Sequence, residues 1–274
     1  MDFVIVLLLL LAVRYWWGEM PVFGAELAGR WIASVGLYLE GIPAYLVSVL
    51  LPTLTLAWLA VVGGEIGFGL PLLMLHVVVL LWVVRAPSPE FVFDALHVEA
   101  RQADSVAEDL KATLDQRLRQ LLAMLHEDFF VYVLWYLLLG PAGPVFCYLQ
   151  RQFERSTRSK SDASNITVDS SLGEFNQMQI SLWLIGLAVR VSLLLLALVG
   201  QFKEGWRYFL DSLKVWTLDD GDLLHTAFEA VLGTPPQGGL DLASARLWLD
   251  QYEKLLSRLF FGWMGFAALL MLLS

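Results

Sequence analysis

The chain has 274 residues, of which 58% are hydrophobic and 16% charged, and its formal net charge is -9. Ordinary soluble domains hold roughly 45–50% apolar and about 25% charged residues, and here the apolar residues fall in long blocks, so an enlarged soluble core is excluded. The acidic balance excludes a nucleic-acid partner, because no basic stripe offsets the repulsion between the protein and phosphate.

The first segment, Met1 to Val13, is apolar but has no basic residues before it and no small-residue cleavage site after it; Arg14, Tyr15, Trp16 and Trp17 follow instead. That pattern predicts a retained membrane segment and not a cleaved signal. Val4 to Val13 is too short to span alone, so partial insertion is expected. A spanning helix needs about 20 mostly apolar residues, since its backbone must satisfy its own polar groups in lipid. Blocks of that kind run over residues 42–62, 66–84, 129–149 and 180–200, with a shorter one at 259–273. Only Gly63, Gly64 and Glu65 separate the first two, which predicts a tight helical hairpin. The expected fold is all-α: one polytopic membrane domain over 1–274 with four to five transmembrane helices, amphipathic interfacial or cytosolic helices, and no sheet of consequence.

Three polar segments lie between the blocks. The first, 86–128, opens on Pro87-Ser88-Pro89 and then places Leu110, Leu114, Leu118, Leu121, Leu122 and Leu125 at helical spacing. Asp109, Lys111, Arg117 and Arg119 fall largely on the other face, so an amphipathic helix on a partner or membrane surface is expected. The second, 150–179, holds Arg151, Arg155, Arg158 and Lys160 and then a Ser/Asp/Asn stretch. The third, 201–258, reads as mixed helix with a break over 233–239. If the third and fourth blocks both cross, the first and third segments share a side, and that side with Arg85 at its edge carries eleven Lys and Arg residues against four. The positive-inside rule then makes 86–128 and 201–258 cytosol-facing.

Motifs that announce an enzyme are missing: no phosphate-binding Gly-x4-Gly-Lys loop, no dinucleotide fingerprint, no His-Glu-x-x-His. No cofactor is indicated. His76, His97, His126 and His225 are scattered and do not read as a histidine metal cluster. Asn165-Ile166-Thr167 matches a glycosylation sequon of a kind that arises easily by chance. Cys147, the one cysteine, lies in an apolar helix and reads as a buried thiol.

Two features are less ordinary. His126-Glu127-Asp128 stands where the amphipathic segment enters the third block, and Gly140-Pro141-Ala142-Gly143 interrupts that block. Such an interruption is either a helix kink with a packing face or a bent helix lining a pocket with the acids at its mouth. Arg190 lies in the middle of the fourth block, where charge at bilayer depth costs a few kcal/mol and usually faces a cavity or partner. Glu127, Asp128, Gly140, Gly143 and Arg190 are therefore the binding-pocket candidates, with Arg190 expected to meet the two acids. Asp219, Asp220 and Asp222 read as a solvated turn and, secondarily, as weak Mg²⁺ ligands.

The run Trp135 to Gly143, the Trp183–Arg190 stretch followed by Ala197-Leu198-Val199-Gly200, and the Asp222–Gly233 segment resemble, in that order, blocks of the AmpE family. That family is related to the CbiB/CobD proteins of cobalamin assembly. Tyr148 stands where the family block carries arginine, Ala188 stands where it carries proline, and the acid-rich CbiB signature is matched only loosely by Glu127 and Asp128. The AmpE resemblance implies a multi-pass protein of the bacterial inner membrane, a signalling modulator linked to cell-wall recycling and β-lactamase induction. Its implied partners are the lipid bilayer and a cell-wall-derived ligand or another regulatory protein. The CbiB resemblance implies the alternative, an ATP-dependent amide-forming enzyme. A plain transporter would show more spans or paired broken segments in two halves.

Overall fold

A computed structural model of the chain describes residues 25–65, 70–83, 107–164, 171–214, 220–233 and 242–273, together with Phe93, Leu96 and Val98. Every described element is helical. The apolar segment at 1–13, the Pro87–Pro89 opening, the sequon at 165–167 and the break over 234–239 lie outside the described residues. The chain divides into two compact units, one drawn from Met20–Arg85 and Val131–Leu184, the other from Ala86–Phe130 and Ile185–Ser274.

The first unit begins with α1 (Ala25–Val35) and α2 (Gly41–Tyr45), which continues through a π-helical turn, Leu46–Leu50, into α3 (Leu51–Glu65). Pro52 explains the wide turn. It has no N–H to give the Ser48 carbonyl and its ring would strike that oxygen, so the helix widens by one residue. The freed Ser48 oxygen accepts instead from Trp31 Nε1 of α1 at 3.3 Å. α3 packs on α4 (Leu70–Val83), as the hairpin reading expects, although the helix runs on through Gly63, Gly64 and Glu65. The 14 residues of α4 rise about 21 Å, short of a hydrocarbon core of about 30 Å.

The block at 129–149 is not one membrane helix. α5 (Ala107–Leu125) passes through a second π-helical turn, His126–Phe130, into α6 (Val131–Leu139) as one continuous run. Gly140 then adopts φ 64°, the left-handed conformation that ends a helix without a Cβ penalty. The Gly143 N–H reaches the Gly140 carbonyl at 3.2 Å, and α7 (Ala142–Ser164) folds back against α6. Pro144 falls in the first turn of α7, where its missing donor costs no helical bond. Neither the kink nor the bent-helix reading anticipated a full reversal. α7 is the centre of this unit and touches α1, the Leu46–Leu50 turn, α3, α4 and α6. Cys147 is buried in it, as expected. Trp82 meets Tyr148 edge-on, and the Tyr136 hydroxyl shares a hydrogen bond with His76 Nδ1 at 2.8 Å.

The long helix α8 (Ser171–Val199) ends in the second unit, which also contains α9 (Phe202–Lys214), α10 (Asp220–Leu232) and α11 (Leu242–Leu273). α10 is its centre and touches α5, α9 and α11. The expected amphipathic face of α5 is present: Leu114, Leu118, Leu121, Leu122 and Leu125 are all buried, while Arg117 is exposed. Phe129, Phe130, Phe260 and Trp263 form an aromatic cluster, and Trp263 Nε1 donates to the Ser192 hydroxyl at 3.3 Å.

Among the described residues three helical stretches are long and apolar enough to cross a membrane: Gly41–Gly63, Thr113–Leu139 and Ile180–Val199. They differ in surroundings. The last two are 61% and 56% buried within the protein, whereas Gly41–Gly63 is 11% buried. Helices that are apolar all round are ordinarily enclosed by protein or by lipid, and here Leu51, Leu54, Trp58 and Val61 face outward.

A Cβ on Gly143 would run into the Trp135 carbonyl, whereas Gly265 on α11 has open space around it. Gly143→Ala should therefore cost about 1–3 kcal/mol of overpacking, read as a fall of several degrees in the Tm of the detergent-solubilised protein. Gly265→Ala should leave the Tm level or slightly higher. Equal Tm values for the two variants contradict the close approach of α6 and α7.

Candidate functional site

α10 carries two faces. Leu224, Ala227, Phe228 and Val231 are buried at helical spacing, and Asp222, His225, Thr226 and Glu229 mark the polar side next to them. His225 lies at the border and is buried completely. Its Nε2 stands 3.3 Å from Asp115 Oδ1 of α5, and its Nδ1 stands 3.9 Å from Glu229 Oε2, one turn along α10. Arg119 clips the two helices together: Nε donates to Asp115 Oδ2 at 3.0 Å and Nη1 donates to Asp222 Oδ1 at 3.2 Å. These outer pairs are half-exposed, so each contributes well under about 1 kcal/mol.

On the inner side the Tyr252 ring stacks on Phe228, with centroids 5.2 Å apart, and lies 6.4 Å from the His225 ring. Burial, helped by the charges of Glu229 and Asp115, holds the Tyr252 phenol well above its ordinary range, so it stays protonated. For His225 the effects oppose one another. Burial lowers its pKa, Asp115 and Asp222 raise it, and Arg119 lowers it; burial prevails and the ring is neutral near pH 7. Asp115, His225 and Glu229 each offer a donor atom, and these atoms lie within 4.8 Å of one another.

Apart from Asp222, the residues singled out by sequence that the structure describes sit elsewhere. Glu127 and Asp128 occupy the π-helical turn between α5 and α6 and are half-buried; His126 beside them is buried, with Nε2 3.5 Å from the Ile185 carbonyl. One-turn π-bulges of this sort are frequent at functional sites. Gly140 and Gly143 make the α6–α7 reversal in the first unit. Arg190 is buried, and its guanidinium donates to the Gly186 carbonyl at 2.6 Å and to the Ser212 carbonyl at 2.7 Å. Ser212 is in the last turn of α9, where carbonyls lack helical partners and the helix dipole is negative. Arg190 thus caps α9, which folds back along α8 with Gly205 against Ala197. Asp222 is paired with Arg119; Asp219 and the side chain of Asp220 lie outside the described residues.

Comparison with protein-family models, with curated proteins and with solved structures finds no match. The chemistry of the site is therefore read from its own atoms. The Asp115–His225–Glu229 group was not visible in the sequence. His225 and Glu229 stand four residues apart on a helix, which is a signal of a shared face, but Asp115 lies far upstream among the charges of an amphipathic helix.

Arg190→Met keeps the length of the side chain and removes both charge-assisted bonds, each worth about 1.5–3 kcal/mol. The variant should show a lower Tm and faster amide exchange across Phe202–Lys214 than across α10. Exchange that rises equally in both helices, or in neither, contradicts the capping role.

Proposed function

We propose that this chain is a multi-pass protein of the bacterial inner membrane, with four to five crossings, that acts as a signalling modulator of the AmpE type in cell-wall recycling and β-lactamase induction. The membrane part rests on one observation above all, the Gly41–Gly63 stretch, apolar around its whole circumference yet only 11% buried. An outward face of Leu, Trp and Val that broad is a liability in water and is satisfied by acyl chains. Thr113–Leu139, Ile180–Val199 and the apolar end of α11 supply the other crossings of this reading.

The signalling part rests on the ordered AmpE-like blocks. In the sequence these blocks fall on α6 and its Gly-Pro reversal, on the Arg190 stretch of α8 and on most of α10. A ligase working with ATP needs carboxylates for Mg²⁺ together with basic or backbone donors aimed at phosphates. Of the candidate acids, Asp222 is engaged by Arg119, and Asp219 and the side chain of Asp220 lie outside the described residues. A cell-wall-derived ligand or a regulatory protein is the partner in this reading.

The chain should stay in the pellet when host membranes are washed at alkaline pH, and its deletion should change the dose of β-lactam needed to induce β-lactamase. Glu127→Gln and Asp128→Asn should shift that dose while leaving corrinoid amide formation untouched. Release of the protein by the wash sinks the membrane reading. Loss of corrinoid amide formation with unaltered induction favours the ligase and sinks the modulator.

A further inference from the structure

The membrane reading leaves the Asp115–His225–Glu229 group without a role, and that group has the make-up of a ligand set. We propose that Asp115, His225 and Glu229 bind one divalent transition-metal ion of the zinc class, held between α5 and α10. The donors are one imidazole nitrogen and two carboxylate oxygens. Imidazole suits zinc and its first-row neighbours, whereas Mg²⁺ and Ca²⁺ prefer oxygen alone. His225 and Glu229 come from one face of one helix and Asp115 from the helix packed on it, so the fold itself sets their spacing.

Burial and geometry agree on a cation. Asp115 and Glu229 bring carboxylate oxygens to the same buried imidazole. His225 has 0% exposure, yet neither ring nitrogen makes a hydrogen bond of good geometry among the described residues. A buried polar group left so costs about 1–3 kcal/mol, and native interiors rarely leave one without a reason. The carboxylates are 29% and 30% exposed, which leaves an ion a way in. Zinc bonds of about 2.0–2.2 Å place tetrahedral ligands about 3.4 Å apart. The Asp115–His225 pair is already at 3.3 Å. One ion takes one imidazole nitrogen, Nε2 on the Asp115 side, and one donor atom from each of the three residues lies within 4.8 Å of the others. The inference is independent of the membrane reading and stands on the second unit alone.

The test uses the full-length protein, stripped with EDTA, desalted and titrated with Zn²⁺. Bound metal is counted by mass spectrometry, and Co²⁺ serves as an optical probe of the ligand set. The expected result is one zinc per chain and a rise in Tm, with affinity reduced about 100-fold in His225→Gln and Glu229→Gln (a loss on the order of 3 kcal/mol). Asp211→Asn, an exposed ion-pair residue of α9, should bind as the wild type does. If His225→Gln fails to fold, the Glu229→Gln titration and the imidazole signature in the Co²⁺ spectrum of the wild type decide the matter. Wild-type protein that retains no zinc overturns the proposal. So does zinc held equally by the wild type and either ligand variant, which marks adventitious surface binding.

Discussion

In a chain this apolar, each backbone N–H and C=O must find its partner inside the protein, because neither lipid nor a dry helix interface supplies one. The helices satisfy this along their lengths; the difficulty arises where they end, widen or reverse. Pro52 leaves the Ser48 carbonyl without its helical donor, and the Trp31 indole takes it. The last turn of α9 leaves the Ser212 carbonyl open, and the Arg190 guanidinium takes it. Gly140 closes α6 through the left-handed region and lets Gly143 bond back to it. The residues that look anomalous in apolar blocks, a proline, an arginine and a Gly-Pro-Ala-Gly run, are those that settle backbone groups.

The two units solve their packing differently. The first gathers around α7, whose buried face carries Cys147, Tyr148 and Phe153, while α3 keeps apolar side chains outward. The second gathers around α10 and buries leucine layers from α5 with the aromatic side chains of α11. A costly feature among its described residues is the fully buried His225 among carboxylates. The leucines nearby each return about 1.5–3 kcal/mol on burial, enough to offset a single strained polar group. A site of this sort can persist in a stable core without being a packing error, which is why a ligand-binding role is the productive reading of it.

Legibility followed the range of the interactions. The Gly41–Gly63 and Ile180–Val199 helices were readable because membrane compatibility depends on the composition of one contiguous stretch. The α5 leucines were readable because a helix repeats every 3.6 residues whatever it packs on. The junction at 126–130 was not, since the sequence shows a polar segment meeting an apolar one and the structure runs a single helix through both with a π-helical turn.

The sequence by itself determined that the chain is helical and apolar, where several helices run, and that Gly140 and Arg190 mark unusual places. Only the tertiary structure decided that Gly140 reverses the chain instead of kinking it, because a Gly-Pro pair permits both and the choice rests on whether α7 can press against the Trp135 carbonyl. It also decided that Arg190 donates to the end of a neighbouring helix, since a carbonyl is present in every residue and carries no sequence mark. The meeting of Asp115 with His225 and Glu229 was likewise beyond reach of the sequence. Their proximity is a product of the α5–α10 packing, and packing between distant helices leaves no local pattern to read.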